Sequence, residues 1–353
     1  MSRTQTRTQT GARPRSRTDR ARRMRNVQVE ERRDPSALRW RTYGYAVLAM
    51  LVVFLLGAVA VWQRPLSVIE TLTRARLAYS GFHNEYTIIR GNRIHYYEGG
   101  SGAPVVLLHG LGSRAEDWAN LMPQLKQAGF HVYAIDLLGY GRSARPANAT
   151  YSIPEEAQYV EEFIAQRRLD KVNLVGWSMG GWVAMRIALD KPERIGRLVL
   201  CDSAGIRFEP TFTIFDFEPT TIPAVQRLYS LLMPRPTEMP DFLARDMIRR
   251  FKQLNWVVDR SARSMFHGND LLDGKLGSLQ MPTLILWGKQ DHLIPLATGV
   301  SMHQQIPQSV LEIYDGCGHL APGQCAGLIG PRLIDFLQGK QPQMRQTAEI
   351  GPG

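Results

Sequence analysis

The 353-residue chain predicts a mostly parallel, doubly wound α/β sheet of about eight strands, a helical cap inserted between strands 6 and 7, and one N-terminal transmembrane helix. Three patterns predict this. Apolar runs of strand length alternate with helical patterns after residue 80. One stretch, 206–274, interrupts the alternation without a strand of its own. Residues Tyr43–Trp62 form an uncharged, almost wholly apolar run.

The first element is a basic arm. Residues 1–42 hold 13 Arg, no Lys and four acids (Asp19, Glu30, Glu31 and Asp34), so most of the formal charge of +11 lies here and not in the folded part. Arg, Thr, Gln and Ser dominate the arm, which has too little apolar surface to fold and reads as a disordered tail. A nucleic-acid-binding domain carries its basic patch on a folded surface, so no nucleic-acid partner is expected.

The apolar run at 43–62 comes next. At 1.5 Å per residue, 20 helical residues span about 30 Å, the thickness of a bilayer's hydrocarbon core. Trp40, Tyr43 and Trp62 stand where interfacial aromatics belong, with Arg39 and Arg41 at one end and Arg64 and Pro65 at the other. Buried core helices are rarely apolar all round. A cleaved signal peptide is the stronger rival, because Ala58 and Ala60 give a small-x-small site, but the 42-residue leader is long for one. The arginine excess ahead of the run predicts a single-pass protein with a cytoplasmic N-terminus and an extracytoplasmic folded domain, although Arg64, Arg74 and Arg76 follow the span. Residues 63–80 read as a short amphipathic connector.

One domain is expected over 81–338, with the cap at 206–274 and a flexible tail over 339–353. Its candidate strands are Glu85–Arg90, Arg93–Glu98, Val105–His109, His131–Asp136, Val172–Trp177, Arg197–Asp202, Thr283–Gly288 and Val310–Asp315. The inner ones are near-continuous apolar runs, as parallel strands buried on both faces require. Gly91–Asn92 joins the first two as a hairpin. Helical patterns cover Trp118–Ala128, Ile153–Leu169, Met179–Asp190, Pro295–Gln305 and Pro322–Gln338. The insertion is rich in aromatics, among them Phe208, Phe212, Phe217 and Phe251, and reads as a mostly helical cap. Cys201, Cys317 and Cys325 are too few for a disulfide framework and form no metal-ligand pattern. They are expected as buried free thiols, with Cys317 paired to Cys325 or Cys201 as the alternative in an oxidising compartment.

The chemistry is concentrated at strand ends. Gly176-Trp177-Ser178-Met179-Gly180 follows an apolar strand and opens a helix, so Ser178 sits on a tight strand-to-helix turn beside free N–H groups and the positive end of a helix dipole. A serine nucleophile needs a base, and His319 follows the last strand on a glycine-containing loop, Asp315-Gly316-Cys317-Gly318-His319. The base needs an acid to fix its tautomer. Asp291 follows the seventh strand in Trp287-Gly288-Lys289-Gln290-Asp291-His292, and Asp202, ending the sixth strand, is the rival. His109-Gly110-Leu111-Gly112 follows the third strand; the backbone N–H groups of Leu111 and Met179 are assigned to an oxyanion hole. His109 is read as a structural hydrogen-bonding residue, and Asp136 to Ser143 as a turn buttressing the loop.

Together His109-Gly110, Asp136…Gly139-x-Gly141-x-Ser143, Gly176-x-Ser178-x-Gly180-Gly181, Trp287-Gly288…Asp291 and Gly318-His319 resemble the α/β-hydrolase fold superfamily over residues 81–338. The anchored layout is similar to monoacylglycerol-lipase-like proteins and to bacterial lipases and esterases. The resemblance implies a serine hydrolase acting on a small-molecule acyl ester, lipid or medium-chain, with Ser178, Asp291 and His319 catalytic and no metal or organic cofactor. Ser178 stands where haloalkane dehalogenases and epoxide hydrolases carry Asp, which argues against those chemistries. Carbon–carbon-bond hydrolases of the meta-cleavage type share the serine triad and remain an alternative, weakened by Leu320 where they carry Trp. A catalytically silent scaffold is the other alternative.

Overall fold

The computed structural model describes residues 35–235, 238–340 and 346–351. The basic tail expected over residues 1–42 lies outside them up to residue 34. The chain divides into two compact units, Met1–Val61 and Trp62–Gly353. In the first, a helix α1 begins at Pro35 and runs on to Gln63. Its Thr42–Gln63 stretch is long and apolar enough to cross a membrane, and its apolar side chains are exposed.

The second unit begins its folded part with helix α2 (Pro65–Tyr79), within the stretch read as a connector. Strands β1 (His83–Ile89) and β2 (Asn92–Gly100) form the predicted hairpin. There follow β3 (Pro104–Leu108), α3 (Met122–Gln127), β4 (His131–Ile135), α4 (Ile153–Gln166), β5 (Val172–Trp177), α5 (Met179–Asp190) and β6 (Ile195–Cys201). Beyond the cap helices α6 (Ile222–Leu232) and α7 (Asp241–Phe266) come β7 (Thr283–Gly288), α8 (Leu296–Gln305), β8 (Ser309–Tyr314), α9 (Ala321–Gln324), α10 (Ala326–Leu337) and β9 (Thr347–Ile350). The helix expected over Pro322–Gln338 breaks at Cys325, between α9 and α10.

The sheet order is β1-β2-β4-β3-β5-β6-β7-β8-β9; β1, β2 and β4 pair antiparallel, and all other neighbours parallel. Alternate side chains of each inner strand go to opposite faces. Val106, Leu108, Leu174 and Leu200 join one core with α4 and α5, while Val105, Leu107, Val175 and Val199 join a second core with α3 and α10. This is why the strands read as unbroken apolar runs. Strand β9 was not foreseen. The C-terminal stretch was expected as a flexible tail, but Thr347–Ile350 pairs with β8 from Leu311↔Thr347 to Tyr314↔Ile350. Four residues carry no periodic signal; the open edge of β8 supplies the partner.

The chain turns back at β3, which lies between β4 and β5. Such a switch point opens a crevice at the carboxyl ends of its strands. The loop after β3 and the turn after β5 meet there.

Candidate active site

Ser178 occupies the turn between β5 and α5 with φ 55° and ψ −120°, a left-handed backbone that costs energy for any residue but Gly. The flanking glycines make the turn possible. A Cβ on Gly176 would stand 2.3 Å from the Gly180 carbonyl oxygen, and one on Gly180 would stand 2.3 Å from that of Leu108. The strand, the turn and the β3 loop are thus packed backbone to backbone.

The structure brings the three candidate residues together. His319 Nε2 lies 3.0 Å from Ser178 Oγ, and His319 Nδ1 lies 2.7 Å from Asp291 Oδ2. An ionised carboxylate only accepts, so Nδ1 carries the proton and Nε2 is left to accept from the serine hydroxyl. Asp291 Oδ1 accepts from the N–H groups of Leu293 and Ile294, at 2.8 and 2.9 Å, which fixes the carboxylate plane. All three side chains are buried. Trp177 Nε1 donates to the His319 carbonyl at 2.8 Å, and a Cys317–Cys325 disulfide brackets the His319 loop. The expectation of three free thiols is therefore corrected: only Cys201 is free, buried in β6. Sequence spacing could not decide this, because the path of the chain between them, which brings the two Cα atoms to 6.2 Å, is a tertiary feature.

The rival acid takes a different place. Among the described residues Asp202 forms no hydrogen bond with His319; its Oδ1 accepts from the Gly288 N–H at 2.7 Å. Burial, and next the charge of Asp291, push its carboxyl well above the ordinary carboxylate range. That favours its neutral form.

The β3 loop approaches the serine from the other side. A Cβ on Gly110 would stand 3.1 Å from Ser178 Cβ, so only Gly fits comfortably. Among the described residues the Leu111 N–H has no acceptor within the fold, and Met179 is the first residue of α5, where helix N–H groups lack intrahelical partners. The loop is held from beneath. The Leu137 N–H donates to His109 Nε2 at 3.0 Å, so His109 is neutral with its proton on Nδ1, 2.8 Å from the Gly110 carbonyl. Burial pushes His109 below the ordinary histidine value, in keeping with that state. Asp136 accepts from the Ala115 and Arg142 N–H groups at 2.7 and 2.8 Å and lies 2.6 Å from His95 Nδ1. Burial opposes its charge, but the hydrogen bond and charge of His95 and the Ala115 N–H outweigh this and hold its carboxyl below the ordinary value. These are the structural tasks foreseen for His109 and the Asp136 turn.

Above Ser178 and His319 lies a cavity of about 550 Å³. The cap supplies Phe208, Phe212, Phe217, Leu228, Phe251 and Met265 to its wall. Among the described residues its only cationic or imidazole side chains besides His319 are Arg207 and His267, both exposed. Among them, too, no cluster of His, Cys, Asp or Glu suits a metal ion.

Comparison with known proteins agrees with this architecture. Residues 105–327 match the family model described as the alpha/beta hydrolase family. The chain is 29% identical over 264 residues to a 2-hydroxymuconate semialdehyde hydrolase of Pseudomonas sp. (strain CF600), covering 71% of this chain and 92% of that one. It is 30% identical over 264 residues to a 2-hydroxy-6-oxononadienedioate/2-hydroxy-6-oxononatrienedioate hydrolase of Escherichia coli O139:H28, covering 69% and 91%. Among solved structures, a membrane phospholipase A superposes with a TM-score of 0.71 at 24% identity, over 84% of this chain and 98% of that one. A meta-cleavage product hydrolase from Pseudomonas fluorescens IP01 superposes at 0.65 with 25% identity, over 73% and 98%.

Proposed function

The chain belongs to the alpha/beta hydrolase family, and from that premise we propose that it is a serine hydrolase of carboxylic esters, with lipid or medium-chain acyl esters as substrates and an acyl-enzyme on Ser178 as intermediate. One observation carries the reading. A cavity walled by aromatic and aliphatic side chains opens over a serine already hydrogen-bonded to an imidazole that is itself bonded to a carboxylate.

The chemistry follows from those distances. His319 Nε2 takes the Ser178 proton as Oγ bonds to the acyl carbon. The carbonyl oxygen becomes an oxyanion facing the Leu111 and Met179 N–H groups. The bond to the alcohol breaks, and the alcohol leaves with the proton from Nε2. Water then gives a proton to His319 and adds to the acyl-enzyme, and the acid leaves as Ser178 recovers its proton. Asp291 stays ionised throughout and stabilises the imidazolium.

The helix at Thr42–Gln63 is read as a membrane anchor, the N-terminus as cytoplasmic and the catalytic domain as extracytoplasmic. The arginine excess ahead of the span supports this orientation. So does the Cys317–Cys325 disulfide, since such bonds persist in oxidising compartments. Tethering keeps the cavity near a supply of lipid esters.

A second reading, cleavage of a carbon–carbon bond in a meta-cleavage product, draws support from the curated relatives. The cavity favours the ester. A dioate substrate brings two carboxylates, and burying one without a cation or several donors is costly. Among the described residues the exposed Arg207 and His267 are all that the cavity offers it besides His319.

The test is kcat/KM of the purified full chain against p-nitrophenyl esters from acetate to palmitate, monoacylglycerols and a meta-cleavage dienoate. Each methylene buried in the cavity adds about 0.8 kcal/mol, or roughly a four-fold gain per carbon until the cavity is full. A maximum at acetate with no turnover of monoacylglycerol would refute the lipid reading. Preference for the dienoate would establish the second reading instead.

A further inference from the structure

Helix α2, which follows the membrane-crossing stretch in the chain, packs on both the cap and the loop after β3. Its first turn is capped by the cap helix: the Leu66 N–H donates to Asp246 Oδ2 at 3.0 Å, and Asp246 is buried. One turn on, a single carboxylate joins three guanidinium groups. Glu70 Oε2 lies 2.9 Å from Arg250 Nη1, its Oε1 lies 3.0 Å from Arg114 Nη1, and Arg74 of the same helix closes on Oε1 as well. Arg74 also donates to Glu116 at 3.0 Å, and Glu116 accepts from Arg142 and Tyr97 at 3.1 Å each.

The two outer partners of Glu70 stand at informative places. Arg114 ends the loop that begins at His109, three residues after Leu111. Its backbone N–H donates to Asp117 Oδ2 at 3.2 Å, and Ser113 Oγ donates to the same oxygen. Arg250 precedes Phe251, which lines the cavity. Glu70 is therefore bonded to two segments that both line the cavity over Ser178.

An isolated surface ion pair would deserve little weight. This one is different in kind. The Glu70 side chain is only 17% exposed and is shared among three cations. Burial opposes its charge, but Arg114 and Arg74 and the hydrogen bond to Arg250 outweigh it and keep its carboxyl below the ordinary value. Removing the charge leaves Arg114 and Arg250 close together with no carboxylate between them, so the loop and the cap are pushed apart.

We propose that Glu70 is a positioning residue: through Arg114 it sets the loop that presents the Leu111 N–H, and through Arg250 it sets the cap over Ser178. Turnover then depends on the connector helix and not on the α/β domain alone. This rests on the reading of Ser178 as nucleophile and Leu111 as an oxyanion donor.

The experiment uses the full chain in detergent micelles, with Glu70→Gln, Arg114→Gln, their double variant, Glu70→Asp and Ser178→Ala. A control, Arg90→Gln, removes the exposed Arg90–Glu162 pair elsewhere on the domain. Two rates are read for the folded fraction: kcat with KM on the preferred ester, and the saturating rate of Ser178 labelling by a fluorophosphonate. Deleting an oxyanion donor outright costs about 10²–10³ in kcat. A displaced donor should cost less, about ten-fold in kcat for Glu70→Gln and Arg114→Gln alike; Arg114→Gln should leave KM within about two-fold, Glu70→Gln should also raise KM because it releases the cap through Arg250, and the double variant should be no worse than Glu70→Gln. Glu70→Asp should recover part of the loss, and Arg90→Gln should leave both rates unchanged. Should Glu70→Gln fail to fold, Arg114→Gln and Glu70→Asp decide the matter by the same two rates. Unchanged kcat and labelling in the folded Glu70 and Arg114 variants would overturn the inference while leaving the ester reading intact. Turnover persisting in Ser178→Ala would instead overturn the reading beneath it. Were the wild type inactive on every ester, the labelling rate would still judge Glu70.

Discussion

Replacing Asp291 by Asn isolates the tautomer argument, because the structure dictates which way the new amide must face. Asp291 Oδ1 accepts from two backbone N–H groups, those of Leu293 and Ile294 at 2.8 and 2.9 Å. An amide nitrogen in that position would face two donors, so the Asn oxygen takes the Oδ1 site. Its NH₂ then lies at the Oδ2 site, 2.7 Å from His319 Nδ1. Nδ1 must accept, the proton moves to Nε2, and Nε2 can no longer accept from Ser178 Oγ at 3.0 Å. The side-chain volume hardly changes, so the fold should survive. Loss of the correct tautomer together with the stabilising charge costs about 10⁴ in kcat in serine hydrolases of this geometry, or about 5.5 kcal/mol. The assay is kcat on the preferred ester for Asp291→Asn and Asp202→Asn side by side, with circular dichroism to check folding. Asp202→Asn should retain activity within about three-fold, since the Gly288 N–H still finds an oxygen and the neutral carboxyl is replaced by a neutral amide. Activity of Asp291→Asn within ten-fold of the wild type, or an equal loss in Asp202→Asn, would refute the reasoning and move the acid to the sixth strand.

Other outcomes follow from the same structure. Asp202 has a folded-state pKa raised above its ordinary 3.8, so its contribution is fully present below that value and is lost as pH rises through the folded one. The Tm of Asp202→Asn relative to wild type should therefore climb between pH 4 and pH 8, and a difference that does not vary with pH would contradict the assignment. Cleaving Cys317–Cys325 opens a loop of sequence separation 8, worth about 2.5 kcal/mol by loop entropy. The Cys317→Ala/Cys325→Ala pair should show that loss by denaturant titration and a lower kcat, because His319 lies inside the loop; three alkylated thiols in unreduced, denatured wild type would exclude the bond. Reporter fusions made after residue 80 should be active only where they report an exported location, and a cytoplasmic signal would reverse the proposed topology.

What the sequence determined by itself is what local chemistry encodes. Unbroken apolar runs mark strands that both faces of a sheet bury, and Gly176 and Gly180 permit a backbone approach that any Cβ would forbid. Ser178, Asp291 and His319 were legible as residues just past strand ends, where side chains of a parallel sheet converge. Tertiary structure alone decided which of Asp291 and Asp202 faces the imidazole. Both follow strands, and the difference lies in the N–H groups that each carboxylate meets. It also decided that Cys317 pairs with Cys325, that Thr347–Ile350 becomes a strand on the edge of β8, and that Glu70 meets Arg114 and Arg250. Glu70 and Arg250 are 180 residues apart, and no period in the sequence relates them. Periodicity fixes which face of an element is buried, whereas the partner across that face depends on how the elements cross.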